Sequence, residues 1–284
     1  MIYKKNVTDS DGFKLLSLSA GNGIPLFVIG SALFYSRAFS DELQNHFRMV
    51  FADHRGFTEN PYDDGDISRY SMNILLDDID KVRITEGLDK FIILGHSGHA
   101  FMALEYAKKY PENVLGVVMT GVSPDYSENN RLKCEEFFNE EAGQKRKDIY
   151  SGMMSELMGK IAREPEKRFL HFCLCSGARN WYDPEYDASW LWEGVTTNME
   201  MIDHVWGVIF RDIKTEEGLQ QLDKPVLLST GRFDFVTGPA TRWEKYKPLF
   251  RNLTFKVYEN SCHYPMIDNR EEFNNDLIMW KESI

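Results

Sequence analysis

Six short apolar runs punctuate this chain, and their spacing limits the architectures open to it more than any other feature. They are LFVIG at 26–30, FRMVFAD at 47–53, KFIILG at 90–95, VLGVVMTG at 114–121, KPVLLSTG at 224–231 and LTFKVY at 253–258. Each is too short to be a helix and too apolar to be a strand with one wet face, so each reads as a strand covered on both sides. Helical patterns lie between them. Ile74, Leu75, Ile79 and Val82 recur at helical spacing after a cap at Ser71, and Ala100, Ala103, Leu104 and Ala107 do so within 98–110, stopping before Pro111. Strand and helix alternating in this way predict an α/β fold with a mostly parallel sheet and helices on both faces. Residues 13–19 instead alternate apolar and polar (Phe13, Leu15, Leu16, Leu18) before the turn AGNGIP, which predicts an antiparallel opening.

From Val122 to Leu222 the rhythm stops. No strand-like run occurs there, while charge, helical pattern and four of the six tryptophans (Trp181, Trp190, Trp192, Trp206) accumulate. The expected organisation is a core of residues 1–121 and 223–284 carrying an inserted helical cap, 122–222. So much aromatic surface must be buried within the cap and, in part, against the sheet.

Composition narrows the function by exclusion. A net charge of −11 without a basic stripe repels phosphate backbones, so nucleic acid is not an expected partner. No stretch approaches the roughly 20 apolar residues of a membrane span. The opening MIYKKNVTDSDG lacks an apolar run and a small-residue cleavage site, which gives a cytoplasmic location as the expectation. Cys134, Cys173, Cys175 and Cys262 contain no Cys-x-x-Cys pair and read as reduced thiols, with no metal site expected.

The stretch FIILGHSGHAFMALEYA, 91–107, is where the chemistry concentrates. A buried strand ends at Gly-His-Ser-Gly-His and a helix begins at once, the context of a Gly-x-Ser-x-Gly elbow that lifts a serine hydroxyl above the strand ends. The last position of the pattern, however, is His99 rather than a small residue, and should crowd the helix against the strand. Gly98 offers compensating backbone freedom. A serine needs a base to become a nucleophile, and the base needs a carboxylate to fix its tautomer. Asp234 follows one apolar run and His263 another, so both fall on the strand-end edge that carries Ser97.

With Ser97, Asp234 and His263 in that order, the chain resembles the α/β-hydrolase superfamily over essentially its whole length, including the position of the helical insertion. Within it, DHRGF at 53–57 and GRFD at 231–234 are similar to loops of the esterase and proline-iminopeptidase branch. The resemblance implies a serine hydrolase working through an acyl-enzyme with no cofactor: Ser97 attacks, His263 shuttles the proton, and Asp234 orients His263. Activity would fall below the ordinary imidazole value, about pH 6.5. The oxyanion would be held by backbone N–H groups of Gly98 and of either Ser31 or Ala32, in a loop reading Ile29-Gly30-Ser31-Ala32-Leu33 where relatives often carry His-Gly.

The substrate pocket is expected to draw on Gly30, Leu33 and His96 from the core and on Trp181, Trp190, Trp192, Glu193 and Trp206 from the cap. An aromatic pocket suits a small or medium carboxylic ester. Two alternatives stay open. One is an aminopeptidase that releases N-terminal proline from a short peptide or amide, which would need pocket carboxylates for the ammonium, with Asp183, Glu185, Asp187, Glu193 and Glu200 as candidates. The other is a ligand receptor or regulator on the same fold. Among the remaining histidines, His96 and His99 are tied to the elbow backbone, His54 packs its loop, and His46, His171 and His204 read as surface or structural. Asp53 and Arg55 are expected to pin their loop as an ion pair.

Overall fold

A computed structural model describes residues 2–284. The described residues form one eight-stranded sheet: β1 (Lys4–Ser10), β2 (Phe13–Ala20), β3 (Ile24–Gly30), β4 (Phe47–Asp53), β5 (Phe91–His96), β6 (Val114–Thr120), β7 (Val226–Gly231) and β8 (Leu253–Tyr258), in spatial order β1-β2-β4-β3-β5-β6-β7-β8. Only the β1–β2 and β2–β4 pairs are antiparallel. β3 sits between β4 and β5, with Gly30 opposite Asp53 and Ile29 opposite Gly95, which sets the loops that follow these three strands side by side at one edge.

The central strands are apolar throughout because both faces are covered, and side-chain alternation still sorts them. Phe27, Ile29, Ile93 and Val117 enter the core on one face; Leu26, Val28, Leu94 and Val118 enter the core on the other. The first face is covered by α2 (Met72–Thr85) and α3 (His99–Lys109), the second by α1 (Ala32–Ala38) and by the C-terminal helix Arg270–Glu282. Ser71 holds the N-cap position of α2, but its side chain makes no capping bond.

The expected opening is antiparallel, but it contains a strand that the apolar pattern does not mark. β1, KKNVTDS, is a polar edge strand with alternate residues exposed. The signal for it is Asp11-Gly12, both at positive φ (52° and 86°), the two-residue hairpin turn that joins Ser10 to Phe13. Between β6 and β7 there is no strand among the described residues. The segment contains α4 (Glu128–Glu141), α5 (Gln144–Arg163), α6 (Arg168–Cys175), α7 (Gly177–Asn180) and α8 (Met199–His204), and α8 runs on into a π turn over Val205–Ile209. Met201, Ile202, Val205 and Phe210 bury themselves in the same core as α2 and α3, so this end of the segment is fixed to the sheet. No described helix is long and apolar enough to cross a membrane.

Candidate active site

Ser97 joins β5 to α3 with φ +57°, a left-handed conformation that costs a non-glycine residue on the order of 1–3 kcal/mol. Its N–H donates to the Thr120 carbonyl at 2.9 Å and its carbonyl accepts from Ala100 N at 2.9 Å, so both neighbouring elements hold the strained turn. The tight helix–strand contact is absorbed at Gly95, where a Cβ would lie 2.1 Å from the His99 carbonyl oxygen. The His99 side chain therefore points away from the crowding expected of it, into a buried site lined by Tyr35, His54 and Trp206.

Asp234 follows β7 and is fully buried, and His263 follows β8 and is 3% exposed. The Asp234 carboxylate oxygens lie 3.0 and 3.2 Å from His263 Nδ1, and one also accepts from the N–H groups of Val236 (3.0 Å) and Thr237 (2.9 Å). Burial works to raise the Asp234 carboxyl, but the imidazole and the Thr237 donors outweigh it and hold it below the ordinary carboxylate value. An acceptor at Nδ1 puts the ring proton there and leaves Nε2 as a lone pair. The His263 backbone is held as firmly: its N–H donates to Asn180 O at 2.9 Å and its carbonyl accepts from His96 Nε2 at 2.8 Å. The preceding Cys262 N–H donates to Asp268, whose carboxyl burial pushes up to about 6.

Ser97 and His263 line the same cavity, of about 130 Å³. Its walls are Phe34, Tyr35, Phe57, Phe169, Phe172, Trp192, Trp206 and Tyr264, with Cys173, Ser176 and Asn180 among the smaller groups and no carboxylate. Of the residues expected in the pocket, His96, Trp192 and Trp206 line it, as does Ser31 from the expected oxyanion loop. Five do not. Trp181 is buried one layer behind, stacked at 4.2 Å on Tyr264. Gly30 lies under the Tyr35 ring, and Leu33 faces a separate surface groove beside Asp53 and Thr58. Trp190 is 39% exposed and donates to Tyr186 Oη, while exposed Glu193 contributes only a carbonyl, to Arg37. Tyr264 and Phe34 were detectable from their adjacency to His263 and to the 30–32 loop. Phe169 and Phe172 carry no such mark, because their spacing matches any buried helix face.

The loop after β3 brings Ser31 and Ala32 beside the elbow, but the two amides differ. Ala32 N–H donates to Asp53 Oδ1 at 2.7 Å, which removes it as a donor to a ligand. No acceptor among the described residues takes the Ser31 or Gly98 N–H. Asp53 does not pair with Arg55, contrary to expectation. Arg55 instead binds Asp78 through Nε (2.6 Å) and Nη2 (3.0 Å), reaches Asp11 at 2.7 Å, and covers the Phe13 ring, so it fastens the β1–β2 hairpin. Asp53 is left with backbone donors only, and burial pushes its carboxyl up to about 7. All four cysteines are free; Cys173 lines the cavity, and burial pushes its thiol up to about 12.

Known proteins resemble this chain in sequence and fold. Residues 20–172 match the family model described as alpha/beta hydrolase fold. An AB hydrolase superfamily protein, YclE of Bacillus subtilis (strain 168), is 37% identical over 98% of both chains. A proline iminopeptidase of Flavobacterium johnsoniae is 24% identical over 76% of this chain and 73% of its own. Among solved structures, an esterase from Exiguobacterium antarcticum superposes with a TM-score of 0.68 at 18% identity, covering 96% of this chain and 97% of that one. The strand order, the strained serine between β5 and α3, the family-model match and the 37% identity to YclE over nearly the whole of both chains agree: the chain belongs to the α/β-hydrolase superfamily.

Proposed function

We propose that the protein is a serine hydrolase that cleaves small carboxylic esters through an acyl-enzyme. Ser97 Oγ attacks the ester carbonyl while His263 Nε2 takes its proton, and Asp234 stabilises the resulting imidazolium. The N–H groups of Ser31 and Gly98 receive the oxyanion. As the tetrahedral adduct collapses, His263 returns the proton to the departing alkoxide, and a water then repeats the sequence to release the acid. Ser97 Oγ forms no hydrogen bond to a described residue, and the mechanism requires it to meet His263 Nε2 across the cavity they share once substrate is bound.

The observation that carries this reading is a lone-pair imidazole and a strained serine lining one aromatic cavity without a carboxylate. A proline iminopeptidase has to hold a substrate ammonium, yet Asp183, Glu185, Asp187 and Glu193 are exposed and Glu200 accepts from Asn60 at 2.8 Å outside the cavity. Beyond Trp206, Phe172 and Tyr126 the cavity adjoins a chamber of about 490 Å³ whose walls include Phe235 and Val236, next to Asp234, and whose two carboxylates, Glu128 and Glu135, are already paired with Arg131 and Arg179. The alkoxide must leave past His263 to collect its proton, so the chamber takes the alcohol portion and the small cavity the acyl group.

Hydrolysis of a short-chain aryl ester, a long-acyl ester and a prolyl arylamide tests the assignment. The short-acyl ester should be cut fastest, and Ser97→Ala should lower its turnover by about 10⁶. Unchanged ester cleavage in that variant removes Ser97 from the chemistry. Preference for the prolyl amide makes the protein an aminopeptidase, and a single labelling event without turnover makes it a receptor.

A further inference from the structure

Three buried histidines outside the triad form a chain that ends on the triad. His54 Nδ1 accepts from Gly56 N–H at 3.0 Å, so the ring proton is on Nε2. That nitrogen lies 2.9 Å from His99 Nε2, which must then be a lone pair, and the His99 proton is on Nδ1. From there it is donated to the His96 carbonyl (3.1 Å) and to Tyr35 Oη (3.2 Å). Tyr35 Oη, now an acceptor, gives its own proton to His96 Nδ1 at 3.0 Å. His96 is left with its proton on Nε2, which donates to the His263 carbonyl at 2.8 Å. The Gly56 amide at one end and the His96 and His263 carbonyls further along require the same set of tautomers, and all three imidazoles are neutral.

Two glycines make room for the chain. A Cβ on Gly30 would lie 2.1 Å from the Tyr35 ring, and one on Gly121 would lie 2.6 Å from the His263 carbonyl oxygen and 3.0 Å from His96 Nε2. Burial, which pushes His54 and His96 down to about 3, favours the neutral forms that the geometry requires.

We propose that Tyr35 is a positioning residue, the middle link of a one-directional chain, His54–His99–Tyr35–His96, that holds the His263 loop in register with the Ser97 turn. This rests on the serine-hydrolase reading. The His99 that departs from the usual small residue in the elbow is then a working link: two of the chain's imidazoles flank Ser97, and the last clamps the backbone of the base. A loop shift of about 1 Å is worth roughly a hundredfold in rate, so the loss should appear in turnover and not in binding.

The test compares wild type, Tyr35→Phe, His99→Gly and the double variant on a short-chain aryl ester, with melting temperatures to verify folding and ¹⁵N spectra of the histidine rings at pH 7. Tyr35→Phe should lower kcat about 10- to 100-fold with KM within twofold, and the double variant should be no slower than the worse single, because either change breaks the same chain. The wild-type spectra should show Nε2–H on His54 and His96 and Nδ1–H on His99. A kcat for Tyr35→Phe within twofold of wild type, a loss confined to KM, additive losses in the double variant, or any other tautomer set overturns the proposal. Should Tyr35→Phe not fold, His54→Gln replaces it with the same expectations. Labelling of Ser97 by a fluorophosphonate separates the two failures. A wild type that does not label ends both the hydrolase reading and the positioning role, whereas rapid labelling that Tyr35→Phe does not slow ends only the latter.

Discussion

Two carboxylates stand at the same edge of the sheet and are treated in opposite ways. Asp53 ends β4 beside the 30–32 loop, and Asp234 follows β7 beside His263. Both accept backbone N–H groups, but only Asp234 has an imidazole against it, and only Asp234 is held below its ordinary value while Asp53 rises to about 7. Backbone donors alone do not offset burial at Asp53; a partner able to carry positive charge does at Asp234. At Asp234 the carboxylate is matched by the His263 imidazole, and at Asp53 the carboxyl fixes the Ala32 amide.

The harshest way to break that contrast is Asp234→Asn. The amide keeps the shape but cannot enforce Nδ1–H on His263, so kcat on a short-chain ester should fall about 10⁴-fold, with the fold intact by circular dichroism. A loss under tenfold would mean that His263 is oriented by its backbone clamps alone, through Asn180 and His96.

Sequence reading singled out Asp234 and His263 because each lies a few residues past an apolar strand run, β7 buried throughout and β8 a half-buried edge strand, and the structure brings the two side chains within hydrogen-bond distance. Sequence reading failed where partners are chosen in space. Arg55 is two residues from Asp53, yet the left-handed Asp11-Gly12 turn and α2 bring Asp11 and Asp78 to it instead. The strands were legible to within a few residues, except β1, whose single central apolar residue, Val7, gives no periodicity. Four tryptophans in 122–222 are equivalent as letters, but only Trp192 and Trp206 meet the cavity. That choice is made by how short helices pack, with no sheet register to constrain them. His99 looked like a steric fault because the pattern speaks of side chains, whereas the close contact is between the His99 carbonyl and Gly95.

Asp53→Asn sharpens the comparison through stability. A carboxyl raised to about 7 when folded keeps a proton that the unfolded chain gives up near pH 4, so wild type loses stability as pH climbs from 4 to 7 and the penalty is complete above that. The asparagine variant has no such loss. Its stability relative to wild type should improve by on the order of 2 kcal/mol between pH 4.5 and 8 in urea titrations, the half-buried carboxyl being partly screened. An unchanged difference would place the Asp53 value near that of a free carboxylate.

The smallest effect belongs to Ala32→Pro, and it decides which amide does which job. Ala32 is the first residue of α1, where proline's fixed φ suits the helix, and Ser31 before it is already extended at φ −91°, ψ 122°. The substitution removes only the N–H that binds Asp53. If Ser31 and Gly98 receive the oxyanion, kcat should drop less than tenfold, with destabilisation of about 1–3 kcal/mol from the carboxylate's lost donor. An Ala32 amide that served the oxyanion would instead cost 10²- to 10³-fold in kcat. That outcome would require the Asp53 bond to break during turnover, and Asp53 would then belong to the reaction rather than to its scaffold.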